Sequence, residues 1–164
     1  MHPLVEEAMK KAAIAWIGVG GRPAVPIWCL WLEDALYAVS GPGEQPAPGL
    51  AGTFTAAVTA RGDHGGRIVT WPARVERVKP GSEAWDTVVP QLAAKRLNGA
   101  PTAELVRRWA TDCLVFRLVP DGDPIEAGRT LPRDSLAAEP APTPAASPTE
   151  PPFRLHRVRR RRPS

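Results

Sequence analysis

Apolar residues recur along this chain with two periods: every three to four residues over 4–13 and again over 85–109, and every second residue in the runs between and after. One run breaks the alternating rule. Over residues 24–32, Pro26, Trp28, Leu30 and Leu32 alternate with Ile27, Cys29 and Trp31, so the strand it predicts has no face suited to water. Such a strand belongs in a barrel wall covered twice, by a lumen behind it and by a second subunit or a bound planar ligand in front. Gly20-Gly21-Arg22-Pro23 precedes it. Glycine accepts positive φ and proline presets its own φ, so this turn predicts a hairpin with a first strand over 13–19.

The remaining elements follow in order. Leu4, Val5, Ala8, Met9, Ala12 and Ala13 mark a short helix, with Glu6 and Glu7 in its first turn and Lys10 and Lys11 in its last. Glu33-Asp34 is a tight turn into a third strand over 35–40. Residues 41–50 carry no period and read as a surface loop, where sites tend to lie. A fourth strand over 53–61 turns at 62–66 into a fifth over 67–78, with a bulge or an edge predicted at Trp71-Pro72-Ala73 because proline donates no ladder bond. Ser82 caps a helix through Trp85, Val88, Val89, Leu92 and Leu97, kinked or restarted at Pro90 and ended by Asn98-Gly99. Thr102 caps a second helix through Leu105, Val106 and Trp109, and a last strand runs over 113–119. Trp71, Trp85 and Trp109 are expected in the core.

Composition divides the chain near residue 120. Many of its 20 prolines fall after that point, and residues 140–152 are Pro, Ala, Thr, Ser and Glu, too poor in apolar area to order themselves. The chain then ends on six arginines within residues 153–162. The expected organisation is a globular domain over 1–122 and a disordered linker with an Arg-rich tail over 123–164. The net charge of +4 is divided too: 13 Lys and Arg against 11 Asp and Glu through residue 119, and 8 against 6 beyond it. A balanced body without a reader motif argues against specific nucleic-acid binding, while the tail suits an anionic surface through counterion release, if it does more than confer solubility. Cys29 and Cys113 lie in apolar runs without ligand spacing and read as buried, reduced thiols of a cytoplasmic protein. No apolar run reaches the roughly 20 residues of a spanning helix. His2, His64 and His156 stand apart, so no metal site is expected, and no nucleophile with a base is written here.

The meander of strands, the helical pair before the last strand, and the phrase Gly21-Arg22-Pro23-Ala24-Val25-Pro26-Ile27-Trp28 followed by Ala35-Leu36-Tyr37 together resemble the FMN-binding split-barrel family, the pyridoxamine 5′-phosphate oxidase-like proteins. The resemblance implies an α+β fold built on a six-stranded antiparallel split barrel. It implies a homodimer with a flavin between barrel and partner, the backbone at Pro26, Ile27 and Trp28 edging the ring system, and Ser40 and Gly41 opening the phosphate turn. Relatives follow that serine with a cation, whereas residues 41–50 here hold none and carry Glu44, which leaves Arg61 or Arg67 to meet a phosphate. A second departure is Pro72, where relatives commonly have glycine. Trp31 and Arg22 are weaker candidates, and Lys95-Arg96 reads as a solvated helical face. The implied function is an oxidoreductase that moves hydride between FMN or the deazaflavin F420 and a small organic substrate; some relatives hold haem and some no flavin. The alternative is a non-catalytic dimeric binding or structural protein that has lost the phosphate clamp. A third reading puts the function in the arginine tail, as an adaptor.

Overall fold

The computed structural model describes residues 2–96 and 101–132, apart from the side chain of Arg129. Helix α1 (Pro3–Lys11) starts where His2 Nδ1 accepts the amide of Leu4 at 3.2 Å, with proline at the first helical position, where its missing N–H is not needed. Strands β1 (Ile14–Gly18), β2 (Val25–Leu32) and β3 (Ala35–Ser40) form the predicted meander. The β1–β2 turn uses Gly20 and Gly21 at φ 59° and 74°, and the β2–β3 turn holds Glu33 and Asp34 at φ 47° and 59°, the left-handed pair that matches hairpin twist. Then come β4 (Thr55–Arg61), β5 (Arg67–Val78), α2 (Glu83–Ala94), α3 (Thr102–Asp112), β6 (Leu114–Pro120) and the two-residue β7 (Glu126–Ala127). Strand order is β4-β1-β2-β3-β6-β5, every pair is antiparallel, and β5 returns to β4 to close the ring. This is a closed six-stranded antiparallel barrel with three helices.

Two apolar clusters flank the wall. The lumen holds Ile17, Ile27, Cys29, Leu36, Val58, Trp71, Phe116 and Leu118, with α1 contributing Val5 and Met9. The second cluster lies outside, where Tyr37, Val39, Val78 and Val115 meet Trp85, Val89, Leu92, Leu105 and Trp109 of α2 and α3. The three core tryptophans are as expected. The front of β2 is covered differently from the sequence reading: Trp28, Leu30 and Leu32 pack half-buried against this helical cluster, so the chain itself supplies part of the cover that was assigned to a partner or ligand. Helix packing was the third way to bury that face.

Four local expectations change. β5 keeps register with β4 through Ala57↔Pro72, so no bulge forms there; the shift in this pair lies between Ala60 and Arg61. On its other side β5 changes neighbour at that point, from β7 at Val69 and Thr70 to β6 from Ala73 onward, and the Pro72 carbonyl accepts the amide of Asp121 at 2.9 Å. The ring nitrogen therefore falls in a gap where no donor is needed, which is the edge alternative. α2 does not restart at Pro90, which lies inside it, and Pro101, not Thr102, caps α3 without a side-chain bond. Paired chain also extends past residue 122, since β7 joins β5. The Asn98-Gly99 helix stop and residues 133–164, with the linker and arginine tail, lie outside the described residues.

Candidate functional site at the barrel split

β2 pairs with β3 only from Cys29 to Leu32, while β3 stays paired with β6 along its other edge through Val39 and Ser40. The wall opens there. Antiparallel backbone groups alternate in direction, and the Cys29 amide donates to Ala13 on the β1 side at 3.0 Å, so the Trp28 N–H and Pro26 C=O face the opening. Pro26 suits this place because a nitrogen without hydrogen leaves no orphan donor. The loop of residues 41–50 fills the gap. Gln45 lays its amide against the strand: Oε1 accepts the Trp28 N–H at 2.6 Å, and Nε2 donates to the Pro26 carbonyl at 3.4 Å. Ser40 Oγ accepts the Ala47 amide at 2.9 Å, the Glu44 amide donates to the Gly41 carbonyl at 3.0 Å, and Leu50 is buried in the lumen. Gly41 is required in its place: at φ 152° a Cβ would stand 2.8 Å from the Cys113 Cα.

Glu44 gathers the charge of the site. Its side chain is 4% exposed, and its carboxylate accepts from Arg96 Nη2 at 2.8 Å, from Trp109 Nε1 at 2.9 Å and from Arg108 Nη2. The Arg96 guanidinium lies over the Trp28 ring, 5.4 Å from its centroid. Two cations thus meet one carboxylate, and the buried Arg108 Nε has no hydrogen-bond partner among the described residues. An anion that displaced the carboxylate would find a paired, partly desolvated arginine clamp. The adjacent Cys113 thiol has its pKa raised, by burial first and by the Glu44 carboxylate second, which favours the protonated form over the nucleophilic thiolate.

The structure brings together Pro26, Trp28, Ser40 and Gly41, with Ile27 between them turning its side chain into the lumen at 1% exposure. Arg61 and Arg67 are engaged elsewhere. Arg61 stacks on Trp16 at 4.3 Å and donates to the Gly65 carbonyl at 3.3 Å; Arg67 lies 3.8 Å from Glu126 and donates to the Pro132 carbonyl at 2.6 Å. Arg96, read from the sequence as part of a solvated helical face, instead lies just past the end of α2 and pairs with Glu44, and Arg108 was passed over altogether; the two supply the cations that the loop lacks. They lie 52 and 64 positions from Glu44, beyond any local pattern; the only hint was an acid alone in an otherwise uncharged loop.

A flavin offers two handles to a protein, a planar amide edge on its fused ring and a terminal phosphate, and the split offers a complement to each. The β2 edge already takes a planar amide, from Gln45, and the arginine pair already takes an anion, from Glu44. The donor set therefore fits such a group in kind. A separate groove of about 620 Å³ between barrel and α2, lined by Tyr37, Glu76, Thr87 and Arg117, is internally neutralised: Arg117 donates to the Tyr37 hydroxyl at 3.2 Å and to Glu76 at 2.9 Å. Among the described residues no cluster could hold a metal ion, and no helix is long and apolar enough to cross a membrane.

No protein family's sequence profile matches the chain, and no curated protein matches it in sequence. Solved structures do match in fold. The heme storage protein HutZ from Vibrio cholerae is 17% identical at a TM-score of 0.56, over 76% of this chain and 92% of that one. A Listeria innocua protein described as a candidate pyridoxamine 5′-phosphate oxidase is 12% identical at a TM-score of 0.50, over 72% of this chain and 91% of that one.

Proposed function

We propose that this chain, which has the split-barrel fold of the pyridoxamine 5′-phosphate oxidase-like proteins, is a dimeric cofactor-binding protein whose ligand is a flat, amide-bearing anion of the flavin class seated at the barrel split. One observation carries the reading: the Trp28 N–H and Pro26 C=O, bare of any strand, are held by a side-chain amide. In this reading the β2 backbone orients the ring edge, Trp28 lies beside it, and Arg96 and Arg108 hold the phosphate. A bound flavin would supply the redox chemistry itself, acting on a small organic substrate. No side chain of the split is assigned as general acid or base. Haem, which HutZ's description names, has less support, since the described histidines, His2 and His64, cap α1 and sit in the β4–β5 turn.

Glu44 favours a second reading, a non-catalytic dimeric split barrel without the phosphate clamp, because its carboxylate occupies both arginines. Absorbance spectra decide between the two. Purified protein mixed with FMN, F420 or haemin and then desalted should retain a yellow flavin band under the first reading. A protein that stays colourless with all three leaves the second, and a Soret band alone transfers the proposal to haem.

A further inference from the structure

We propose that the loop of residues 41–50 is the site's own competitor, a plug that must lift before a ligand can reach the split; this rests on the reading of the split as a cofactor site. Two consecutive residues mimic the two handles of such a ligand. The Gln45 amide presents a carbonyl and an N–H side by side in one plane, the pattern of the amide edge of a fused pyrimidine, and it engages the Pro26 carbonyl and the Trp28 N–H that β2 turns to the opening. Glu44 presents two anionic oxygens to Arg96, Arg108 and the Trp109 N–H, the groups that would otherwise meet a phosphate. Being neighbours in sequence, the two leave together.

The ends of the loop suit this motion. Gly41 and Gly49, at φ 152° and 83°, bracket it, and Leu50 is fixed in the lumen at 1% exposure, so the hinge falls between a rigid strand and a buried anchor. Ser40 holds the loop at one point, through the Ala47 amide. Opposing the plug is an excess of charge, since two arginines share one carboxylate. A dianionic phosphate compensates that pair better than Glu44 does, which gives a phosphorylated ligand the advantage over the loop.

Two variants and two probes separate the parts of this competition. Gln45→Ala removes the rival for the strand edge, so FMN and riboflavin should both bind about tenfold more tightly than to the wild type, as expected when two hydrogen bonds no longer need breaking. Glu44→Gln keeps the side-chain shape and frees the arginines, so FMN should gain affinity while riboflavin, which has no phosphate, gains less. Fluorescence quenching of the flavin gives the affinities, and amide exchange at Trp28 without ligand should quicken in the Gln45→Ala protein. If the wild type binds FMN and neither variant binds it more tightly, the loop is part of the clamp, and the competitor is overturned while the cofactor reading stands. Unchanged exchange at Trp28 overturns it as well, whatever the ligand does. If no protein of the set takes up either flavin and all melt cooperatively, the flavin reading falls and the competitor with it.

Discussion

Cys29 shows most directly how a residue's place in the wall sets its chemistry. Burial in the lumen pushes its thiol from an ordinary 9.0 up to about 12. A thiol whose folded pKa is raised contributes its full share of stability below the unfolded value and loses it as pH rises through the folded one. Between about pH 9 and 12, unfolding should therefore become easier by up to about 1.4 kcal/mol per pH unit from this group. Urea unfolding of wild type and Cys29→Ala at about pH 8 and about pH 10.5 tests it. The variant is weaker at the lower pH, where the cavity dominates, and should lose less on going to the higher; equal losses would clear Cys29. At this scale the sequence was informative about what is buried and silent about what is paired. Cys29, Trp71 and Trp109 were legible as core from their apolar runs. The engagement of Glu44 with Arg96 and Arg108 was not, because it joins a loop to α3 and to the segment just after α2 and depends on the fold being complete.

At the scale of elements, the strands were legible because a period of two with glycine turns leaves few alternatives, and the hairpin at Gly20 and Gly21 formed as the turn chemistry requires. The role of the helices was less legible. Their faces were correctly read as apolar, yet periodicity states that a face is buried and not against what, and here α2 and α3 cover β3, β6 and the front of β2. Pro90 is an exposed proline in the interior of α2, where it forgoes the bond to the Asp86 carbonyl. Pro90→Ala should raise stability by about 1–3 kcal/mol, read from the urea midpoint. An unmoved midpoint would mean that the stiffness proline lends the unfolded chain offsets the missing bond.

For the whole molecule, the half-buried apolar residues left on the outside bear on assembly. Ile14 is 49% exposed and sits directly across from Trp28 on the outer face of β1 and β2. In the proposed dimer this row meets its twin, so Ile14→Glu should convert a dimer into a monomer by light scattering after size exclusion, with the monomer still melting cooperatively and losing only the stability that association adds. A wild-type monomer would remove the dimer from the proposal, and a variant that stays dimeric would move the interface to another face.

Ring closure has a further consequence. A barrel hides its strand margins from other chains, and the split is where the wall between β2 and β3 comes apart. Pro26 and the Gln45 amide blunt that margin, so a segment that regulates access to a ligand also keeps the barrel from recruiting foreign strands. Any ligand that lifts the loop takes over this guard duty, and a barrel caught open and empty would be the form most prone to polymerise.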